Sequence, residues 1–275
     1  MMATANVNGA EIYYEESGSG PPIILSAGGL QGVASSYQPV IEGLSQEHRV
    51  VVYDRRFGGQ SRSPMVVQTW DMVCDDVFGL MDTLGIERAY LGGGSFGAAI
   101  SLGCAVRRPE RVRAIFPSNI AGGVICDAYL AAKLFKSMDW AENHGIAAIV
   151  DAFDTDDRFS PFSPELAQTD ADYRKNLESM NTEDFIQVMR DTIYALFDGP
   201  YLTLGMTEKA LKSVAVPAMV MPGNNDVHPR GLAQAVHRLV PNCRWAEVRP
   251  HSEEPEKYTK RVLGFLAEVE ADGTG

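Results

Sequence analysis

Near the middle of this 275-residue chain, Gly93-Gly94-Ser95-Phe96-Gly97 sets a serine between glycines two positions to either side. A serine hydroxyl is a weak nucleophile until a base takes its proton and an acceptor orients that base. The neighbours of Ser95 fit such a task. An apolar strand over 88–92 runs in, and a helix of small residues over 96–107 runs out. A serine between them must occupy a tight, strained turn, and only small residues fit two places away on each side. The turn lifts the hydroxyl above the carboxyl edge of the sheet, where ligands bind in open α/β sheets. It also sets Ser95 at a helix N-terminus, whose N–H groups favour negative oxygen.

The chain has five histidines, His48, His144, His228, His237 and His251. His48 precedes a strand, at the edge of the sheet opposite Ser95. His144 lies in a middle stretch without strands, and His237 lies inside a helix. His228 and His251 alone follow strands on the side of Ser95. His251 comes three residues after the last strand, in Arg249-Pro250-His251-Ser252. His228 ends Gly223-Asn224-Asn225-Asp226-Val227-His228, a loop that also carries Asp226 and follows the strand ending at Met221.

The elements that position these residues read as follows. Asn8-Gly9 marks a hairpin turn, and 11–16 its second arm. The fully apolar run Ile23–Leu25 marks a buried strand, and further strands are expected at Arg49–Tyr53, 88–92, Val112–Phe116, Pro217–Met221 and 244–248. Helices are expected over 37–47, 68–84, 96–107, 229–239 and 254–269. In the second of these, Trp70, Val73, Val77, Leu80, Met81 and Leu84 recur at helical spacing. Alternating strands and helices, with inner strands lacking a polar face, imply an α/β fold: a doubly wound, mostly parallel sheet.

The rhythm breaks over 122–210, which carries helical pieces and 16 Asp/Glu against 7 Lys/Arg. This stretch reads as an insertion into a core formed by 1–121 and 211–275. Its acidity reads as a solvated face. Its aromatics, among them Phe135, Trp140, Phe153, Phe159, Phe162 and Phe185, are expected to divide between packing and an apolar pocket.

Composition narrows the function. Hydrophobic residues make up 45% and charged residues 22%, an ordinary globular balance. The net charge of −12 and pI near 4.9 argue against nucleic acid and anionic membranes as partners. Neither a secretion signal nor a run of about 20 apolar residues is visible, so a cytoplasmic protein is expected. Cys74, Cys104, Cys126 and Cys243 are far apart with no C-x-x-C pair, so no metal site is expected and the thiols read as reduced.

Taken together, these pieces resemble the α/β-hydrolase fold superfamily over nearly the whole chain. The resemblance rests on ILSAGG after the third strand, YDRRFGGQS after the fourth, LGGGSFG at the turn, VPAMVMPGNND after the seventh and a loop histidine after the eighth. It implies that 122–210 is the helical cap inserted between strands six and seven. It also implies Ser95 as nucleophile, His251 as general base and acid, Asp226 as the carboxylate holding the imidazole, and the backbone N–H groups of Gly29 and Phe96 as the oxyanion hole. Gly28, Leu30 and His228 would line the substrate pocket, and His228, only two residues from Asp226 and too close for easy pairing with it, is the alternative base. The last loop departs from the family pattern, since counting back from Pro255 leaves Val248 in the histidine slot. Of the two arginines in Asp54-Arg55-Arg56, both are expected to pair with carboxylates and fix their loop rather than hold an acidic substrate.

The function expected is a serine hydrolase acting on an ester, lactone or thioester of a small, largely apolar molecule, without cofactor, as monomer or homodimer. The alternatives are a carbon–carbon bond hydrolase of a vinylogous diketone and a non-catalytic ligand-binding member of the fold. A serine at residue 95 disfavours dehalogenase and epoxide hydrolase chemistry, which on this fold need an aspartate there. A histidine base would make activity fall below about pH 6–7.

Overall fold

The computed structural model describes residues 2–30, 32–152 and 163–273. Phe153, Phe159 and Phe162, expected to divide between packing and an apolar pocket, lie outside these described residues.

An eight-stranded sheet forms the centre. In chain order its strands are β1 (Met2–Val7), β2 (Ala10–Ser17), β3 (Pro22–Ser26), β4 (Arg49–Tyr53), β5 (Ala89–Gly94), β6 (Val112–Ser118), β7 (Ala218–Val220) and β8 (Cys243–Trp245). Across the sheet they run β1-β2-β4-β3-β5-β6-β7-β8. The β1/β2 and β2/β4 pairs are antiparallel and every other pair is parallel. The β1–β2 turn is the two-residue Asn8-Gly9, both with positive φ (47° and 78°), closing the register Val7↔Ala10. This is the backbone twist that a tight hairpin needs.

Helices cover both faces. On one side α2 (Trp70–Thr83), α3 (Phe96–Arg107) and α10 (Arg230–Leu239) pack on the larger apolar core, with Val73, Val77, Leu80, Ile100, Leu102 and Val236 buried. On the other side α1 (Gln38–Leu44) and α11 (Pro255–Ala271) bury Val40, Leu44, Tyr258, Val262 and Phe265. Ile23–Leu25 and Val50–Val52 are buried throughout because their strands are covered on both faces. Cys74, Cys104, Cys126 and Cys243 are all free. Among the described residues no helix is long and apolar enough to cross a membrane.

Between β6 and β7 the chain forms α4 (Gly123–His144), α5 (Ile146–Ala152), α6 (Pro164–Thr169), α7 (Ala171–Glu178), α8 (Thr182–Phe197) and α9 (Glu208–Lys212). Polar contacts tie this segment to the sheet domain. Trp70 Nε1 donates to the Leu196 carbonyl at 3.0 Å, Gln68 N–H to Thr192 Oγ1 at 3.1 Å, and Leu204 N–H to the Ala121 carbonyl at 3.1 Å. Phe185 is buried and Trp140 packs on the core, whereas Phe135 is exposed.

The last strand is shorter than the expected 244–248. It ends at Trp245, after which Ala246 N–H still donates to the Val220 carbonyl and Val248 N–H donates to the Ala246 carbonyl.

Candidate active site

Ser95 lies between the last residue of β5 and the first of α3, with φ 57° and ψ −118°. Such a backbone is strained by about 1–3 kcal/mol and persists only when its surroundings enforce it. Here Ser95 N–H is held by the carbonyls of Ser118 and Asn119, both at 3.1 Å. The flanking glycines are required by close packing. A Cβ on Gly97 would sit 1.8 Å from the Ser26 carbonyl oxygen, and one on Gly93 would sit 2.3 Å from that of Gly97. Both clashes are with backbone, which cannot rotate away. Gly97→Ala is therefore expected to cost about 3 kcal/mol by overpacking, read as a lower urea midpoint at unchanged slope.

The histidine against Ser95 is His228. Its Nε2 lies 2.9 Å from Ser95 Oγ, and its Nδ1 lies 3.0 Å from Asn225 Oδ1. The same Asn225 oxygen accepts from the backbone N–H groups of Val227 (3.1 Å) and His228 (2.9 Å). Two donated N–H bonds identify that atom as the amide oxygen, so Nδ1 carries the proton. Nε2 is then the acceptor facing the Ser95 hydroxyl. Gly223 makes the turn possible, because a Cβ there would meet the His228 Cβ at 2.3 Å. Burial pushes His228 below its ordinary 6.5, and no charged neighbour contributes.

His251, expected against Ser95, is held elsewhere. Its ring stacks on Tyr37 at 4.2 Å and 22°, edge-on to Tyr258, and its Nε2 donates to the Ser36 carbonyl at 3.0 Å. That bond puts the proton on Nε2 and leaves Nδ1 buried without a partner. The turn at Pro250, whose carbonyl accepts from Glu253 and Glu254 N–H, holds His251 against Ser36 and Tyr37. Asp226 is exposed, and its place beside the imidazole is taken by Asn225. The geometry thus brings Ser95, His228 and Asn225 together and sets His251 and Asp226 apart from them. The signal for this lay in the sequence as Asn-x-x-His, an Asx turn that folds an asparagine oxygen back onto a residue three places on.

Gly28 lies against the turn, where a Cβ would fall 3.1 Å from Ser95 Cβ, and Gly29 is exposed with φ 72°. Phe96 is the first residue of α3, so its N–H has no intrahelical acceptor. Leu30 is buried. A cavity of about 510 Å³ opens between the loop after β4 and α7, lined by Phe57, Met65, Tyr173, Leu177 and Met180 among others. Neither Ser95 nor His228 lines it, so we do not assign the chemistry there.

A family model described as alpha/beta hydrolase fold matches residues 21–163, just over half of the chain. A provisionally named carbamate hydrolase of Azorhizobium caulinodans is 26% identical, over 98% of this chain and all of its own length. The 2-hydroxymuconate semialdehyde hydrolase of Pseudomonas sp. strain CF600 is 27% identical, over 93% of this chain and 90% of its own. Among solved structures, the enol-lactonase of Burkholderia xenovorans LB400 superposes with a TM-score of 0.66 at 24% identity, covering 96% of this chain and 99% of its own. The sheet order, the strained serine and these matches lead to one statement of kinship: the chain belongs to the α/β-hydrolase fold family.

Proposed function

We propose that the protein is a serine hydrolase cleaving an ester, lactone or thioester of a small, largely apolar molecule through an acyl-enzyme. One observation carries this reading: the 2.9 Å bond from Ser95 Oγ to the unprotonated Nε2 of His228. Ser95 attacks the carbonyl carbon while His228 takes the hydroxyl proton and later returns it to the leaving group. Asn225 keeps the imidazole in the working tautomer. The N–H groups of Gly29 and Phe96 receive the oxyanion. The helices between β6 and β7 act as the cap that bounds the substrate.

The test is covalent. A fluorophosphonate should label the protein once, and peptide mass mapping should find the label on Ser95. A chromogenic ester should give a burst equal to the enzyme present. A label elsewhere, or none, removes the reading.

The second reading, carbon–carbon bond hydrolysis of a vinylogous diketone, draws support from the pair Gly28-Gly29, whose first glycine lies against Ser95, and from the 27% identical semialdehyde hydrolase. Comparing a dienoate panel with simple esters separates the two.

The pH dependence follows from burial of His228. Its base form is the active one, and burial holds its pKa below 6.5, so kcat/KM should stay level down to that pH and fall only below it. An acid limb centred above pH 7 in a pH–rate profile contradicts this.

A further inference from the structure

The loop after β4 carries two adjacent arginines with different fates. Arg56 is buried against Asp76, its Nε and Nη2 meeting the two carboxylate oxygens at 2.5 and 2.8 Å. Arg55 is equally buried, at 3% exposure, but no carboxylate among the described residues meets it. Its Nε and Nη1 are buried without hydrogen-bond partners, while its Nη2 donates to the Gly29 carbonyl. Its backbone N–H donates to the Gly32 carbonyl at 2.9 Å. The guanidinium lies 4.4 Å over the ring of Phe96, which is itself stacked on Trp70. A Cβ on Gly32 would sit 2.2 Å from Arg55 Nε, so the loop leaves this space for the guanidinium.

Arg55 thus contacts both residues whose N–H groups form the oxyanion hole in the reading above. A buried charge without a counter-ion is costly, and such a charge is kept where an anion completes it. Burial lowers it to about 10, so it stays charged at neutral pH. In the first step the Ser95 Oγ–carbon bond forms, the carbonyl π pair moves onto oxygen, and the hydroxyl proton passes to His228 Nε2. The oxygen at the hole then gains a full negative charge that the neutral substrate lacked.

We propose that Arg55 is a positioning residue of the oxyanion hole: it holds the carbonyls of Gly29 and Gly32 and supplies the uncompensated positive charge that a tetrahedral oxyanion, and not a neutral ester, balances. This rests on the serine hydrolase reading.

Phenylboronic acid tests it, because addition of Ser95 to boron gives a tetrahedral anion. Wild type, Arg55→Met and Arg55→Lys are compared as full chains, with Arg55→Gln in reserve should the methionine variant not fold. In Arg55→Met the inhibition constant of the boronate should rise about ten- to a hundredfold and kcat should fall alongside it, with KM for a neutral ester within about twofold. Arg55→Lys restores the charge and should keep boronate affinity within about threefold of wild type. Equal boronate binding by wild type and the methionine or glutamine variant overturns the inference alone. A lysine variant that loses as much as the neutral one also overturns it, since shape would then matter and charge would not. A wild-type chain that neither takes the fluorophosphonate label at Ser95 nor binds boronate overturns the serine hydrolase reading and this one together.

Discussion

Replacing His228 with alanine is expected to lower kcat by about 10,000-fold, the scale seen when a serine nucleophile loses a working base. Replacing His251 is expected to change kcat by about threefold at most. His228 offers an unprotonated Nε2 to Ser95 Oγ at 2.9 Å, whereas the Nε2 of His251 spends its proton on the Ser36 carbonyl. The His251 variant should instead lose about 1 kcal/mol of stability with its stack on Tyr37 and that one hydrogen bond, read as a lower urea midpoint. Steady-state kinetics of both variants on one chromogenic ester decide the matter. Equal large losses, or a loss confined to the His251 variant, contradict the assignment.

The second large effect concerns Asn225. Asn225→Ala removes the acceptor that selects the tautomer of His228 and frees the N–H groups of Val227 and His228, so kcat should fall about 100- to 1,000-fold. Asn225→Asp keeps the shape and all three accepted bonds but adds a negative charge beside the imidazole. A carboxylate favours the protonated ring, so the pKa of His228 rises and the acid limb moves to higher pH. The developing imidazolium is stabilised too, so kcat on the alkaline plateau should rise by up to about tenfold. A pH–rate profile of the aspartate variant reads both. An unmoved limb would mean that residue 225 does not face the ring in solution.

The comparison of sequence with structure turns on how local each signal is. Gly93, Gly97 and Ser95 were legible because a strand, a turn and a helix follow one another within a dozen residues, and the clashes that demand glycine are with near neighbours or one adjacent strand. The buried strands were legible because Ile23–Leu25 and Val50–Val52 carry no polar residue to face water. Choosing the histidine was different. Chain order points to His251, and the closeness of His228 to Asp226 argues against those two pairing. The partner is Asn225, three residues away, and an Asx turn is what brings the two side chains together. The 244–248 run is expected as one strand, but β8 ends at Trp245, and the turn at Pro250 sets His251 on the face of Tyr37. The two arginines were both expected to pair with carboxylates. Arg56 does, and Arg55 does not, a distinction set by where Asp76 of α2 falls, which no local pattern records.

Asn225 and His228 occupy a single short loop, so in the proposed site the base and its orienting group come from one segment. Where the two are supplied by separate crossovers, any drift in either one detunes the pair. Here the last sixth of the molecule is released from that duty. Substitutions and small insertions between Ala246 and Pro255 can accumulate under the demands of folding alone, and grafting the 223–228 hexapeptide would transplant both partners at once.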